Sequence, residues 1–507
     1  MNPFLKTFNG NPWIDRDLEK VLLDSYVHNS IYNKGFWIQG LRQVGKTQLL
    51  TKYGTENYRK FYRIDLLDDD MRAILENEMR KTFTIPGGTD YDKMYASTSF
   101  KNFLPGFQDA PDEFILIDEI QASEYIYNKA RKIVYGLDAK VAFAGSFLGD
   151  VVNWDKYNYP LGAIIEYNLQ PVTYKEFINS LADAKDYRKF KRFACKEISF
   201  EDRKIMQRAQ EYWDIYVLTG GFPEPLTVSL AANVKEALLM RNADLNKYVR
   251  TLARKTDSKA KEILGKSLSH EDWMSVLGWV TDTLLRGFDP VRLGTITLEP
   301  KQNKSPITID SSFSQYLVKW LTGSGVLTRV PVIDDLYTSD PFRYTELVFT
   351  NYVLLCKFAE ELNADRVADG IIKAVEAESF VYNELCGLKN LMKVRIYPIT
   401  NYNLKDADGS EEVDFVFTTK EGARILVEVK NTSGETKSSN RAMARGEADY
   451  MIKIQNATAV IEEDVFKIPI YNIDKLADII RIIDQAYVDN ISVEKSYEEY
   501  ISRSENE

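Results

Sequence analysis

Hydrophobic residues follow two rhythms along this chain. In the first third, short apolar runs alternate with helical stretches. Phe36-Trp37-Ile38, Tyr62 to Leu66, Phe114 to Ile117 and Lys140 to Ala144 each read as a strand bounded by turn residues. Such runs, separated by helices, predict a parallel sheet covered on both faces. Beyond about Gln170 the pattern turns helical and charged, from Lys175 to about Leu298, with Gly220-Gly221-Phe222-Pro223 as an interrupting turn. Glu299 to Pro306 is polar with two prolines and reads as a linker. Phe313 to Val330 predicts a helix, a glycine turn and a strand, in the manner of a winged helix. From about Phe342, helices lead to a hairpin over Glu412 to Lys430. The expected class is α/β. The expected parts are a parallel-sheet domain over 1–170, a helical lid or bundle over 171–298, a winged-helix-like linker over 299–341, and a mixed α/β domain over 342–507 with an acidic C-terminal tail.

The first strand runs into Gly40-Leu41-Arg42-Gln43-Val44-Gly45-Lys46-Thr47, which fits G-x-x-x-x-G-K-[ST] between a strand and a helix. Glycines let the backbone curl so that successive N–H groups face phosphates, and the helix start adds its positive end. Lys46 is expected to reach the β and γ phosphates, and Thr47 to bind Mg²⁺ through its hydroxyl. A second element agrees. The strand Phe114 to Ile117 ends in Asp118-Glu119, where a carboxylate beside the phosphate loop holds the metal. Asp118 is that metal ligand, and Glu119 is placed to orient and deprotonate a water. The following strand ends at Ala144-Gly145-Ser146, which offers Ser146 to that water or to the γ-phosphate.

A second constellation lies in the hairpin. Alternation in Val413 to Phe417 sets Asp414 apart from its apolar neighbours, and Leu426, Glu428 and Lys430 share one face of their strand. A turn centred on Glu421 sets Asp414 opposite Glu428, with Lys430 one pleat further. Two carboxylates can bind Mg²⁺, and the lysine can steady a hydroxide or a developing phosphorane. The plain alternative is a solvated strand face with paired charges.

The segments GLRQVGKT, FILIDEIQ, FAGSF, QPVTYKEF and GGFPE resemble bacterial and archaeal AAA-type P-loop ATPases of the archaeal-ATPase-like kind, fused to a C-terminal restriction-endonuclease-like domain. The spacing D–x₁₃–E-x-K looks like the PD-(D/E)xK nuclease core. Glu384, on a helix with Val381, Leu385, Leu388 and Met392, resembles the helix-borne acidic residue of that superfamily. The resemblance implies ATP rather than GTP, with DNA before RNA as the partner. A Gly-Arg pair usual in the family is matched here by Gly162-Ala163, so either an arginine sensing the γ-phosphate comes from elsewhere or from another subunit, or hydrolysis is slow. AAA-type relatives suggest homo-oligomeric rings, an inference that Ala163 weakens.

Charge and composition narrow the alternatives. The net charge of −10 excludes a protein that coats nucleic acid by bulk attraction. From Ile461 to the end there are twelve acidic and five basic residues, so most of that charge is local. Arg241 to Lys266 holds eight basic against three acidic residues, and Lys437, Arg441 and Arg445 follow the hairpin. Both stretches could meet phosphates. Trp213, Trp273, Trp279 and Trp320 sit at apolar positions and read as core. Three Cys and two His leave no Cys/His zinc site and no disulfide framework. No run reaches the ~18 apolar residues of a membrane span, so no membrane contact is expected and a cytoplasmic setting is the default. Two readings stay open. One is an ATPase coupled to a nuclease-like domain acting on nucleic acid. The other is a nucleotide-dependent switch whose C-terminal domain binds DNA or a partner without cutting; a promoter-binding regulator is a weaker third.

Overall fold

A computed structural model describes residues 4–28, 35–83, 89–145, 162–182, 200–231, 234–286, 290–292, 295–298, 306–333, 344–359, 369–391, 400–406, 409–430, 437–455 and 459–504. They form two compact units. One holds residues 18–170 with 319–325; the other holds 1–17, 171–318 and 326–507.

The first unit is built on five parallel strands: β1 (Gly35–Gln39), β2 (Lys60–Asp65), β3 (Glu113–Asp118), β4 (Lys140–Ala144) and β5 (Ile164–Asn168). Their order is β2-β3-β4-β1-β5. All four expected strands are present, and β5 was not foreseen. The interior strand β3 is buried throughout, because helices cover both its faces. Phe114 points to one face, where its ring lies 5.6 Å from Tyr53 of α1 (Lys46–Asn57). Ile115 and Ile117 point to the other, into a cluster with Trp37, Leu75, Met79, Phe100 and Phe143. Each such side chain contributes about 1.5–3 kcal/mol on burial. Parallel strands place all their C-terminal ends on one edge, so the loop after Gln39 and the Asp118 end of β3 emerge together.

The second unit departs from the expected domain boundaries. Residues 1–17 belong to it, because Leu5 N–H bonds the Ser180 carbonyl (2.8 Å) and Arg16 pairs with buried Glu176 (3.0 Å). Glu176 also closes a capping box with Thr173 at the start of α2 (Tyr174–Asn179). Behind α2 lies an aromatic core in which Trp213 meets Tyr174 and Phe380 at 5.0 Å each, and Tyr352 meets Phe380 at 4.3 Å. This core draws together the helix Phe200–Thr219, the helix Tyr352–Ala359 and α3 (Asp369–Leu391). The helical middle is thus part of the same unit as the C-terminal sheet. Trp213, Trp273 and Trp320 are buried, and Trp279 is half-buried.

The C-terminal sheet has eight strands. They are β6 (Leu327–Ile333), β7 (Tyr344–Phe349), β8 (Thr400–Asp406), β9 (Gly409–Thr418), β10 (Arg424–Lys430), β11 (Tyr450–Gln455), β12 (Val460–Glu462) and β13 (Val465–Ile468), in the order β7-β6-β8-β9-β10-β11-β13-β12. The expected winged helix takes a different form. Its helix is there (Ser311–Gly323), but β6 pairs with β8, so the wing is the margin of the larger sheet rather than a separate module. Strands Ile296–Leu298 and Ile307–Ile309 flank the expected linker and pair with each other; 299–305 lies outside the described residues. The acidic tail is a second correction. Residues 459–504 are folded, and the helix Leu476–Asp489 buries Ile479, Ile480, Ile482 and Ile483. The acidic residues of this stretch are built into the fold: Asp474 is buried, Asp484 accepts the Thr419 hydroxyl and Asp478 that of Tyr500, while Asp489 is exposed.

Candidate functional sites

The phosphate loop is shaped by two glycines. Gly40 has φ +146°, and a Cβ there would lie 2.2 Å from the Leu169 carbonyl oxygen. Gly45 has φ +94° where the chain turns into α1. Only glycine takes both positions without strain. Leu41 and Val44 are buried and pin the loop, while Arg42 is half-buried and Gln43 exposed, the latter in a left-handed conformation (φ +64°).

Lys46 folds back on this loop. Its Nζ donates to the carbonyls of Gly40 (3.1 Å) and Leu41 (2.7 Å). Burial lowers its pKa to about 8; Glu119 and Asp118 oppose the shift, and Arg42 adds to it. Neutral carbonyls solvate the ammonium but do not balance its charge, so the site carries a cation awaiting an anion.

Asp118 and Thr47 come together as expected. Thr47 donates its hydroxyl to Asp118 Oδ1 (3.1 Å). The second oxygen, Oδ2, accepts from Arg63 on β2, 3.2 Å from Nε and 2.8 Å from Nη2. Burial raises the Asp118 pKa despite Arg63 and Thr47. Glu119 is left-handed (φ +53°) and its carboxylate accepts from the Gln121 side-chain amide. Arg63 and Gln121 were missed from the sequence. Alternation puts Arg63 and Asp65 on one face of β2, but which strand lies alongside is not written in that pattern. Ser146 lies outside the described residues. Ala163 is fully buried, with its carbonyl accepting the Gly35 N–H (3.0 Å).

These groups fit a nucleotide and a hard cation. The loop offers curled backbone and a buried lysine, and Thr47 and Asp118 present adjacent oxygens. Among the described residues no three His, Cys, Asp or Glu side chains converge on a metal position. A Mg²⁺ ion held by one or two protein oxygens takes the rest of its shell from phosphate and water.

In the C-terminal hairpin, β9 and β10 pair Phe415 with Val427 and Phe417 with Ile425. Beyond Phe415 the strand is irregular, because the register of β9 with β8 shifts between Val413 and Val416. The carboxylates are held differently. Asp414 Oδ2 accepts the Val429 N–H (2.7 Å). Glu428 is buried between Lys430 Nζ (2.6 Å, to Oε1) and the Ser439 hydroxyl (2.5 Å, to Oε2). Ser439 stands on α4 (Lys437–Ala444), which packs over this face of the sheet. Burial works to lower the pKa of Lys430, but the Glu428 bond and the charges of Asp414, Glu428 and Glu378 raise it overall. Lys453 lies beside Glu428 on β11, and burial lowers its pKa, with Lys467 and Lys430 adding to the effect.

The structure corrects the placement of Glu384. It does not join this patch. It is buried at the start of α2, where it accepts the N–H groups of Tyr174 and Lys175. Burial drives its pKa well above the carboxylate range, against those two donors. A fixed acceptor at a helix N-terminus satisfies donors that would otherwise be orphaned. The helix-borne carboxylate whose field reaches Lys430 is Glu378, six residues earlier on α3. Val381, Leu385 and Leu388 are buried as expected; Met392 lies outside the described residues.

Residues 32–178 match a family model described as AAA domain. Three solved structures are similar in part. The Walker-type ATPase PABY2304 of Pyrococcus abyssi is 14% identical over 68% of this chain and 96% of its own, at TM-score 0.33. Cdc6p from Pyrobaculum aerophilum is 13% identical over 69% and 96%, at TM-score 0.26. The Aeropyrum pernix Orc1 protein, solved in complex with DNA, is 10% identical over 71% and 96%, at TM-score 0.24. No curated protein matches the chain. The family match spans the phosphate loop, Asp118 and Glu119. The first unit is a AAA-type P-loop domain that binds ATP, and the protein is an ATPase. Among the described residues no helix is long and apolar enough to cross a membrane.

Proposed function

We propose that this protein is a Mg²⁺-dependent ATPase whose nucleotide cycle governs a restriction-endonuclease-like C-terminal domain acting on nucleic acid, DNA before RNA, in the cytoplasm. The observation that carries the nuclease half is the grouping around Lys430, which bonds Glu428 and feels the charges of Asp414 and Glu378. Charges are costly to bury, so a buried carboxylate bonded to a lysine on a sheet face is more than chance surface charge.

In the ATPase site, Lys46 neutralises the β and γ phosphates, and the N–H groups of Gly40 to Thr47 cradle them. Thr47 and Asp118 would hold Mg²⁺, which when bound would supply charge neutralisation at the phosphates. Glu119 orients the attacking water and takes its proton, and Ser146 positions that water. In the C-terminal site Asp414 and Glu428 would hold the metal, which when bound would supply Lewis-acid activation of a water. Lys430 steadies the attacking oxygen. Lys247, Arg250 and Lys261 on the long helix Val234–Leu264, and Lys437, Arg441 and Arg445 beside the hairpin, are exposed and suit a phosphate backbone; the side chains of Arg254, Lys255 and Lys259 lie outside the described residues.

One observation favours a second reading. Both carboxylates are engaged within the protein, and Glu428 is enclosed by Lys430 and Ser439. A domain fixed in that state would bind nucleic acid or a partner without cutting, and the ATPase would act as its switch. The two readings are separated by incubating DNA and RNA substrates with Mg²⁺, with and without ATP. Cleavage lost in Asp414→Ala but kept in its ATPase supports the nuclease. Glu119→Gln should retain ATP and lose turnover. Binding with no cleavage by the wild-type protein supports the switch, and neither binding nor cleavage removes the nucleic-acid proposal.

A further inference from the structure

Arg63 is the one guanidinium bonded to Asp118 among the described residues, and the motif reading gives it no role. In the parallel register of β2 and β3, Arg63 stands beside Leu116 and Asp65 beside Asp118. Alternation therefore puts Arg63, Asp65 and Asp118 on one face, at the strand ends where Thr47 also reaches Asp118. The guanidinium bridges two carboxylates: Asp118 Oδ2 at 2.8 Å and Asp65 Oδ2 at 3.1 Å, both from Nη2. The Asp118 side chain is 3% exposed, whereas that of Arg63 is 44% exposed. Both oxygens of a buried carboxylate are thus occupied, one by Thr47 and one by a cation reaching in from solvent.

The contrast with Glu176 shows what is unusual. Glu176 is paired by Arg16, and both side chains are 6% exposed, so that pair is sealed. The Asp118 pair is sealed on one side only. The arginine is held from the solvent side and can leave outward, but the buried carboxylate it leaves needs another cation in its place.

We propose that Arg63 is a placeholder for the metal: it occupies Asp118 while no nucleotide is bound and is exchanged for Mg²⁺ when Mg·ATP binds. The exchange keeps Asp118 compensated throughout. It also makes the ion's binding conditional. Mg²⁺ alone must displace the guanidinium, whereas Mg²⁺ arriving with phosphate oxygens gains ligands that offset the loss. The proposal rests on the ATPase assignment and is independent of the C-terminal domain.

The test uses the full chain and a fluorescent ATP analogue, with binding read by anisotropy across a Mg²⁺ titration and again in EDTA. Arg63→Ala should lower the Mg²⁺ concentration for half-maximal binding by about fivefold, the scale of a partly exposed ion pair. Binding in EDTA should stay within about twofold. Mg²⁺ without nucleotide should raise the melting temperature of Arg63→Ala and not that of the wild type. An unchanged or higher Mg²⁺ requirement would overturn the proposal and leave Arg63 as a buttress of Asp118. If Arg63→Ala does not fold, Arg63→Gln keeps a donor and removes the charge, and the same titration decides. Failure of the wild-type protein to bind the analogue at all would count against the ATPase assignment instead.

Discussion

The two candidate sites each park a lysine, and they do so in opposite ways. Lys46 lies on the carbonyls of its own loop, and burial lowers its pKa to about 8. Lys430 lies on the Glu428 carboxylate, and its pKa is raised despite burial. Depth of burial and the bonded partner together decide the sign: Lys46 is 8% exposed and bonds carbonyls, whereas the Lys430 side chain is 32% exposed and bonds a carboxylate. A carbonyl dipole does not repay the desolvation of an ammonium, and a carboxylate does. The first site is short of an anion and is built to receive one. The second already balances its lysine, so a ligand there must compete with Glu428.

The largest test of that contrast acts on the loop. Gly40→Ala puts a Cβ 2.2 Å from the Leu169 carbonyl at φ +146°, so the loop cannot keep its curl. ATP affinity should fall by more than about a hundredfold, measured by calorimetry, and any Asp414-dependent cleavage without ATP should persist. Loss of both activities would show that the two sites are not separable.

The next test is pH. Lys46 must be charged to hold phosphate, so ATP affinity should weaken by about tenfold per unit as pH rises above about 8. The unliganded fold should respond in the opposite sense. The pKa of Lys46 is depressed on folding, so the folded protein binds fewer protons than the unfolded chain between about 8 and 10.5, and this group's contribution to stability rises with pH across that window. Lys430, with its pKa raised, should give the C-terminal site no loss over the same range. Parallel pH profiles for the two sites would erase the distinction.

The smallest expected effects separate two glutamates on one helix. Glu378→Gln should slow C-terminal cleavage by about fivefold, through the charge it sets on Lys430. Glu384→Gln should leave cleavage within about twofold, because Glu384 only receives backbone donors from α2. A drop in cleavage for Glu384→Gln alone would reverse the assignment.

Much of this was legible in the residues, and the limits are instructive. Four strands of the first sheet were readable because continuous apolar runs betray strands buried on both faces. The phosphate loop was readable because its work is done by eight contiguous backbone units, with side chains setting only their curl. The hairpin itself was readable because a short turn ties two strands together, from Thr418 and Arg424 to Phe415 and Val427. The winged-helix unit and the acidic tail were misplaced for one shared reason. Both are defined by what they pack against, and β6 finds β8 across nearly seventy residues.

By itself, then, the sequence determined features governed by neighbours along the chain: four strand runs of the first sheet, the phosphate loop and the hairpin. Only the tertiary structure decided which face of α3 meets which element. Glu378 and Glu384 are six residues apart, about 240° around a helix, so one rotation turns Glu378 toward the hairpin and Glu384 toward α2. It decided likewise that β2 lies beside β3, which brings Arg63 to Asp118. Local patterns fix what a residue can do, but partners distant in the chain are chosen by packing, which no local period records.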